Sequence, residues 1–89
     1  MRITRKADYA VRAMVALARA NARYDGVVIP RDLIATQETI PPAYLDDILR
    51  KLRNGGLVRS CRGVDGGWSI NLDPAEITVG DVLRVMEGP

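Results

Sequence analysis

The chain has 89 residues, 47% apolar and 27% charged, with a formal net charge of +2; that length suits one domain burying roughly 60% of its unfolded surface. Histidine is absent and Cys61 is the sole cysteine, which excludes imidazole catalysis, an internal disulfide, and a zinc or iron–sulfur site built from this chain alone. No apolar run approaches the roughly 20 residues of a membrane span, and the N-terminus lacks the apolar core of a signal peptide, so a cytoplasmic protein is expected.

In chain order, the first helix is expected from about residue 5 to 22, capped by Thr4, with Ala7, Ala10, Val11, Met14, Leu17 and Ala18 as the core stripe. Arg5, Asp8, Arg12, Arg19 and Arg23 fall on its other side. Tyr24-Asp25-Gly26 ends it, and Val27–Ile29 is a short extended run. A second helix follows Pro30, over 31–38, with Leu33 and Ile34 inward and Ala35 as a small contact point. Ile40-Pro41 breaks the pattern, and Pro42 opens a third helix that runs to about Arg53. Leu45, Ile48, Leu49 and Leu52 form its buried stripe; Ala43, Asp46, Asp47 and Arg50 lie opposite.

Asn54-Gly55-Gly56 stops the third helix. Leu57–Cys61 and Trp68–Leu72 read as two strands joined by a glycine-rich turn centred on Asp65-Gly66. In the second strand Trp68, Ile70 and Leu72 alternate with Ser69 and Asn71, which places the apolar set on the buried face. Asp73-Pro74-Ala75-Glu76 suits one short capped turn. Thr78, with Asp81 as its reciprocal partner, caps a last helix whose core face is Val79, Val82, Leu83 and Met86, and Gly88-Pro89 is a stop signal.

The elements are mostly α-helical with a small β-hairpin, in the order of a winged helix-turn-helix. Such a fold places its third helix in the DNA major groove and its hairpin, the wing, beside it. Thr39 stands where the turn usually has glycine; a β-branched residue strains at positive φ, so the turn is expected to differ locally. Charge is arranged in blocks. Residues 1–23 carry six basic groups against Asp8, and residues 49–72 carry Arg50, Lys51, Arg53, Arg59 and Arg62 against Asp65. The intervening and final segments are acidic. Two basic blocks folded onto one face would meet a polyanion, although solvated surface charge explains the same pattern.

Several stretches together resemble the N-terminal domain of the Rrf-two family of bacterial transcription regulators, the group of IscR, NsrR, RirA and CymR. They are Met1-Arg2-Ile3-Thr4 with Lys6 and Asp8-Tyr9-Ala10-Val11-Arg12, then Ile40-Pro41 with Tyr44-Leu45 and Ile48-Leu49. Leu52-Arg53 through Gly56-Leu57-Val58, Arg62-Gly63 with Gly66-Gly67, and Ile77-Thr78 through Val82 to Glu87-Gly88 complete them. The resemblance implies a sequence-specific DNA-binding regulator, a repressor, acting as a homodimer on a promoter pseudo-palindrome of double-stranded DNA. It also implies that residues 1–89 are the DNA-binding domain, cut before a C-terminal sensing and dimerisation segment. In the full-length parent that segment would sense iron–sulfur, redox or nitric-oxide status, some relatives holding an iron–sulfur cluster there.

Carried over residue by residue, Ala43, Tyr44, Asp46 and Asp47 would read bases. Aspartate can accept from cytosine N4, but two carboxylates repel phosphate. The other reading is an exposed polar face with Asp46–Arg50 and Asp47–Lys51 pairs at i,i+4. Arg62, Gly63, Gly66 and Gly67 match the wing signature: Arg62 would enter a narrow groove and the glycines would let backbone approach it, or only build the turn. Lys6 and Tyr9 match positions near the sugar–phosphate backbone, against a solvated charge and a half-buried ring. Arg50 and Arg53 would add phosphate contacts or surface pairs. Trp68 reads as a core anchor and Cys61 as a buried structural thiol rather than a redox group. Two other functions remain: a protein-interaction winged helix, and a thiol-based regulator using Cys61. No enzyme is expected, since no paired-acid or nucleophile motif is present.

Overall fold

The architecture follows from how each helix begins and ends. In the computed structural model, which describes residues 3–88, Thr4 has extended backbone angles and its hydroxyl accepts from Ala7 N–H, opening α1, Arg5–Arg23. Met1, Arg2 and Pro89, which belong to the resembling N-terminal stretch and to the stop signal, lie outside the described residues. Ala7, Ala10, Ala13, Met14 and Leu17 are the buried face of α1. Ala13 joins the expected stripe, whereas Val11 and Ala18 sit at its half-buried margin. Three alanines at 0–1% exposure let neighbouring elements approach the α1 backbone closely.

The second helix, α2 (Arg31–Glu38), and the third, α3 (Pro42–Asn54), form the helix-turn-helix. Thr39 between them adopts the left-handed conformation, φ 54° and ψ 51°. The turn therefore keeps the geometry that a glycine would give it, contrary to the expected departure. Burial of Ile40 to 2% exposure and the Ile40 N–H to Ala35 carbonyl bond at 3.0 Å hold Thr39 there. Leu33 was expected inward and is 45% exposed. A helix of eight residues turns one narrow face to the core, and Ile34 and Ala35 occupy it. Leu45, Ile48, Leu49 and Leu52 on α3 are each fully buried, as their spacing indicates.

Strands β1 (Val58–Cys61) and β2 (Gly67–Ile70) pair antiparallel, with Val58 opposite Ile70 and Cys61 opposite Gly67. The hairpin turn is Gly63–Gly66, closed by Gly66 N–H to the Gly63 carbonyl at 3.0 Å, so Val64-Asp65 rather than Asp65-Gly66 is its centre. Ile29 adds a single bridge to β2: its N–H donates to Trp68 and Trp68 N–H donates back, both at 2.8 Å. This leaves no room for a side chain at Gly67, whose Cβ would collide with the Ile29 carbonyl.

Two expectations for β2 fail. Leu72 is 44% exposed and Ser69 is fully buried. The strand ends at Ile70 because Asn71 turns away to bond Gly56 and Leu57. Ser69 Oγ has no hydrogen-bond partner among the described residues. The last helix, α4 (Val79–Glu87), opens with the expected capping box of Thr78 and Asp81. Its core face is Val82, with Val85 and Met86 half-buried; Val79, at the first helical position, is 56% exposed. Val85 packs over the end of α3, where a Cβ at Gly55 would come within 2.6 Å of it.

Candidate nucleic-acid interface

Three parts of the fold carry the candidate residues. The capped start of α1 carries Lys6, Tyr9 and Arg12, spaced i, i+3 and i+6 and so on one side of the helix. The first turns of α3 carry Ala43, Tyr44, Asp46, Asp47 and Arg50, opposite the leucine stripe. The hairpin carries Arg62 to Gly67.

The first two parts are joined. Lys6 Nζ donates to Asp47 Oδ2 at 2.7 Å across 41 sequence positions. The Tyr9 ring meets the Tyr44 ring edge-on with centroids 5.9 Å apart, and the Arg12 guanidinium lies 4.9 Å from the Tyr9 centroid. Lys6 Nζ stands 6.0 Å from the Tyr44 centroid. Lys6, Tyr9, Tyr44, Asp47 and Arg50 thus form one continuous surface that binds α1 to the exposed side of α3.

Of the two intrahelical pairs expected on α3, Asp47–Lys51 is present and Asp46–Arg50 is not. Asp46 does not pair with Arg50; its Oδ1 lies 3.1 Å from Arg31 Nε, at the start of α2. Helix α3 packs against α2, and the Arg31 guanidinium is shared between Asp46 and its own neighbour Asp32, 3.2 Å away. Asp47 does approach Lys51, at 3.6 Å, but also Arg50 at 3.7 Å and, most closely, Lys6. The Lys6 hydrogen bond holds the Asp47 carboxyl below its usual pKa against the opposing effect of partial burial, and Lys51 and Arg50 add to the lowering. Asp47 is therefore neutralised locally by three cations, while Asp46 shares one cation with Asp32, which softens the repulsion of phosphate that the sequence suggests.

Among the described residues no side-chain hydrogen bond, ion pair or ring contact joins the wing to this surface. Arg62 and Gly63 are exposed, and Gly66 and Gly67 are half-buried. A Cβ at Gly66 would run into the Cys61 carbonyl at 2.5 Å, so the double glycine is required by the protein's own backbone. Val64 at the tip is fully exposed, at 104%. Sequence reading passed over it, although a lone β-branched residue between glycines in a turn is a usable signal. It also passed over Arg31, whose pairing with Asp46 depends on the packing of α2 against α3 that spacing alone does not reveal. Cys61 is half-buried on β1, more open than a core thiol, and Trp68 packs partly buried against the core as an anchor. Among the described residues no group of three His, Cys, Asp or Glu side chains could hold a metal ion, and no helix is long and apolar enough to cross a membrane.

Residues 3–89 match the family model Rrf2, described as an iron-dependent transcriptional regulator. The Mycobacterium tuberculosis protein Rv1287, assigned as an HTH-type transcriptional regulator, is 48% identical over all 89 residues, which cover 53% of that protein. The chain thus spans about half the length of that relative. CymR of Bacillus subtilis, an HTH-type transcriptional regulator, is 37% identical over the same 89 residues, 62% of its length. The solved structure of B. subtilis CymR, titled the global cysteine regulator, superposes with a TM-score of 0.90 at 35% identity, covering 100% of this chain and 67% of that one. A structure of T. potens IscR superposes at 0.87 with 36% identity, covering 99% of this chain and 62% of that one. These neighbours share the winged-helix arrangement described above.

Proposed function

The chain belongs to the Rrf2 family of transcriptional regulators, and on that premise we propose that residues 1–89 are the DNA-binding domain of a sequence-specific, cytoplasmic transcription repressor. The observation that carries this reading is the joined surface of α1 and α3. Lys6, Tyr9, Tyr44 and Arg50 lie together beside the exposed side of the helix that a winged helix places in the major groove, and both acidic residues on that side are paired.

In this reading Tyr44 and Ala43, at the start of α3, reach base edges, with Asp46 and Asp47 beside them. Lys6, Tyr9 and Arg50 contact the flanking phosphates, and these contacts fix register while carrying no sequence information of their own. Arg62 and Gly63 at the wing enter the neighbouring groove, where a narrow minor groove concentrates negative potential. Gly66 and Gly67 let the turn fold tightly enough to present Arg62. Two such domains, in a homodimer of the longer protein, would set two α3 helices roughly 34 Å apart on a pseudo-palindrome.

Iron enters through the family description. This chain does not fit an iron site: Cys61 stands alone, and the described residues bring no set of ligands together. The iron–sulfur, redox or nitric-oxide sensing implied by the resemblance is accordingly proposed for segments outside these 89 residues, and no step is routed through Cys61.

The test is a potassium chloride titration of binding to a mixed-sequence duplex, read by fluorescence anisotropy. DNA binding through these cations requires log K to fall linearly with log salt, by about 0.9 for each phosphate contact. No binding at low salt would refute the reading and favour a protein-interaction role for the fold.

A further inference from the structure

Asp47 is crowded by cations in a way that neutralisation alone does not require. Arg50 and Lys51, three and four positions along α3, already lie within ion-pair range at 3.7 and 3.6 Å. Lys6 nevertheless reaches over from α1 and makes the shortest contact, a charge-assisted hydrogen bond of 2.7 Å. Its ammonium is thereby held between a carboxylate and the face of Tyr44, and its side chain is 36% exposed. Three cations share one carboxylate on the surface assigned to DNA.

We propose that Asp47 acts as an intramolecular competitor for phosphate: it occupies the Lys6 ammonium and so weakens binding to DNA of arbitrary sequence. The proposal rests on the DNA-binding reading above. A cation paired within the protein displaces no counterion from DNA until its own pair breaks, so it adds less to sequence-independent affinity than a free one. The pair is part-buried, with side chains 36% and 32% exposed, so solvent and phosphate still reach it and it can exchange partners. Asp47 is in this sense a positioning residue that works through Lys6, whatever it also touches on the bases.

The test uses Asp47→Asn, which keeps the side-chain shape and removes the charge, with Lys6→Gln and the double variant. Each is titrated with potassium chloride against a mixed-sequence duplex, and thermal melting confirms folding. Asp47→Asn is expected to bind several-fold more tightly at low salt, with a slope of log K against log salt steeper by about 0.9, one additional phosphate contact. Lys6→Gln in the Asp47→Asn background is expected to restore the original slope, which separates Lys6 from Arg50 and Lys51. Unchanged or weakened binding by Asp47→Asn, or a steeper slope that survives Lys6→Gln, would overturn the proposal. Absence of wild-type binding would refute the DNA-binding reading itself, a distinct outcome.

Discussion

The Tyr9 ring on α1 meets the Tyr44 ring on α3 edge-on, with centroids 5.9 Å apart and planes inclined at 64°. The positive edge of one ring faces the negative face of the other, an arrangement worth about 0.5–1.5 kcal/mol beyond the area it buries. Tyr44 is 44% exposed, so the lower half of that range applies. A double-mutant cycle of Tyr9→Leu and Tyr44→Leu, read by urea unfolding, is expected to give a coupling of about 0.5–1 kcal/mol. Additive effects would mean that the two helices are not held together by this pair.

Thr39 holds a left-handed backbone, φ 54°, that costs an L-residue roughly 1–2 kcal/mol and glycine much less. Part of the gain from glycine is returned as backbone entropy. Thr39→Gly is expected to raise stability by about 0.5–1 kcal/mol, which calorimetry would register as roughly 2–8 °C in Tm.

Gly67→Ala is expected to do the opposite. A methyl group there collides with the Ile29 carbonyl, so Ile29 must leave β2 and its two hydrogen bonds with Trp68 are lost. The loss is expected to be about 2–3 kcal/mol, in the range of substitutions that force backbone apart. Hydrogen exchange at the Ile29 amide is the local readout, and it should speed up more than exchange in α3.

Asp47 and Asp81 both have depressed pKa values, Asp47 first through its hydrogen bond from Lys6 and Asp81 through bonds from the Thr78 backbone and hydroxyl. A carboxyl depressed by folding adds stability that is fully present above its unfolded pKa and disappears as pH falls through the folded one. Stability is therefore expected to be flat with respect to these two groups near neutrality and to decline in the acid range below the ordinary aspartate value. Unfolding measured against pH should show a smaller acid decline in Lys6→Gln, which removes the largest cause at Asp47 and leaves those of Lys51 and Arg50, and in Thr78→Val, which removes the hydroxyl part at Asp81.

How far the sequence carries depends on whether a feature is periodic or relational. The leucine stripe of α3, the Thr4 cap and the Thr78–Asp81 box are written in local spacing, and each is found where spacing puts it. Leu72 and Val79 have suitable periodicity but stand at or beyond the ends of short elements, where the register no longer faces the core, and Leu33 lies within α2 but off its narrow buried face. Asp47 keeps its expected partner Lys51, but the partner of Asp46 and the closest partner of Asp47 come from α2 and α1, and a helix face seen alone offers only its own i,i+3 and i,i+4 neighbours. The double glycine is legible as a signature, but its cause, the approach of Ile29 and Cys61 carbonyls, is tertiary.

The claim that the joined α1–α3 surface and the wing meet DNA is tested most directly by mapping amide and side-chain NMR shifts while a duplex is added at low salt. The expected result is that perturbations concentrate at Lys6, Tyr9, Tyr44, Asp47, Arg50, Arg62 and Gly63, and spare the groove between α1 and α4 lined by Val15, Ile77 and Val79. Perturbations centred on that groove, with α3 and the wing unmoved, would contradict it.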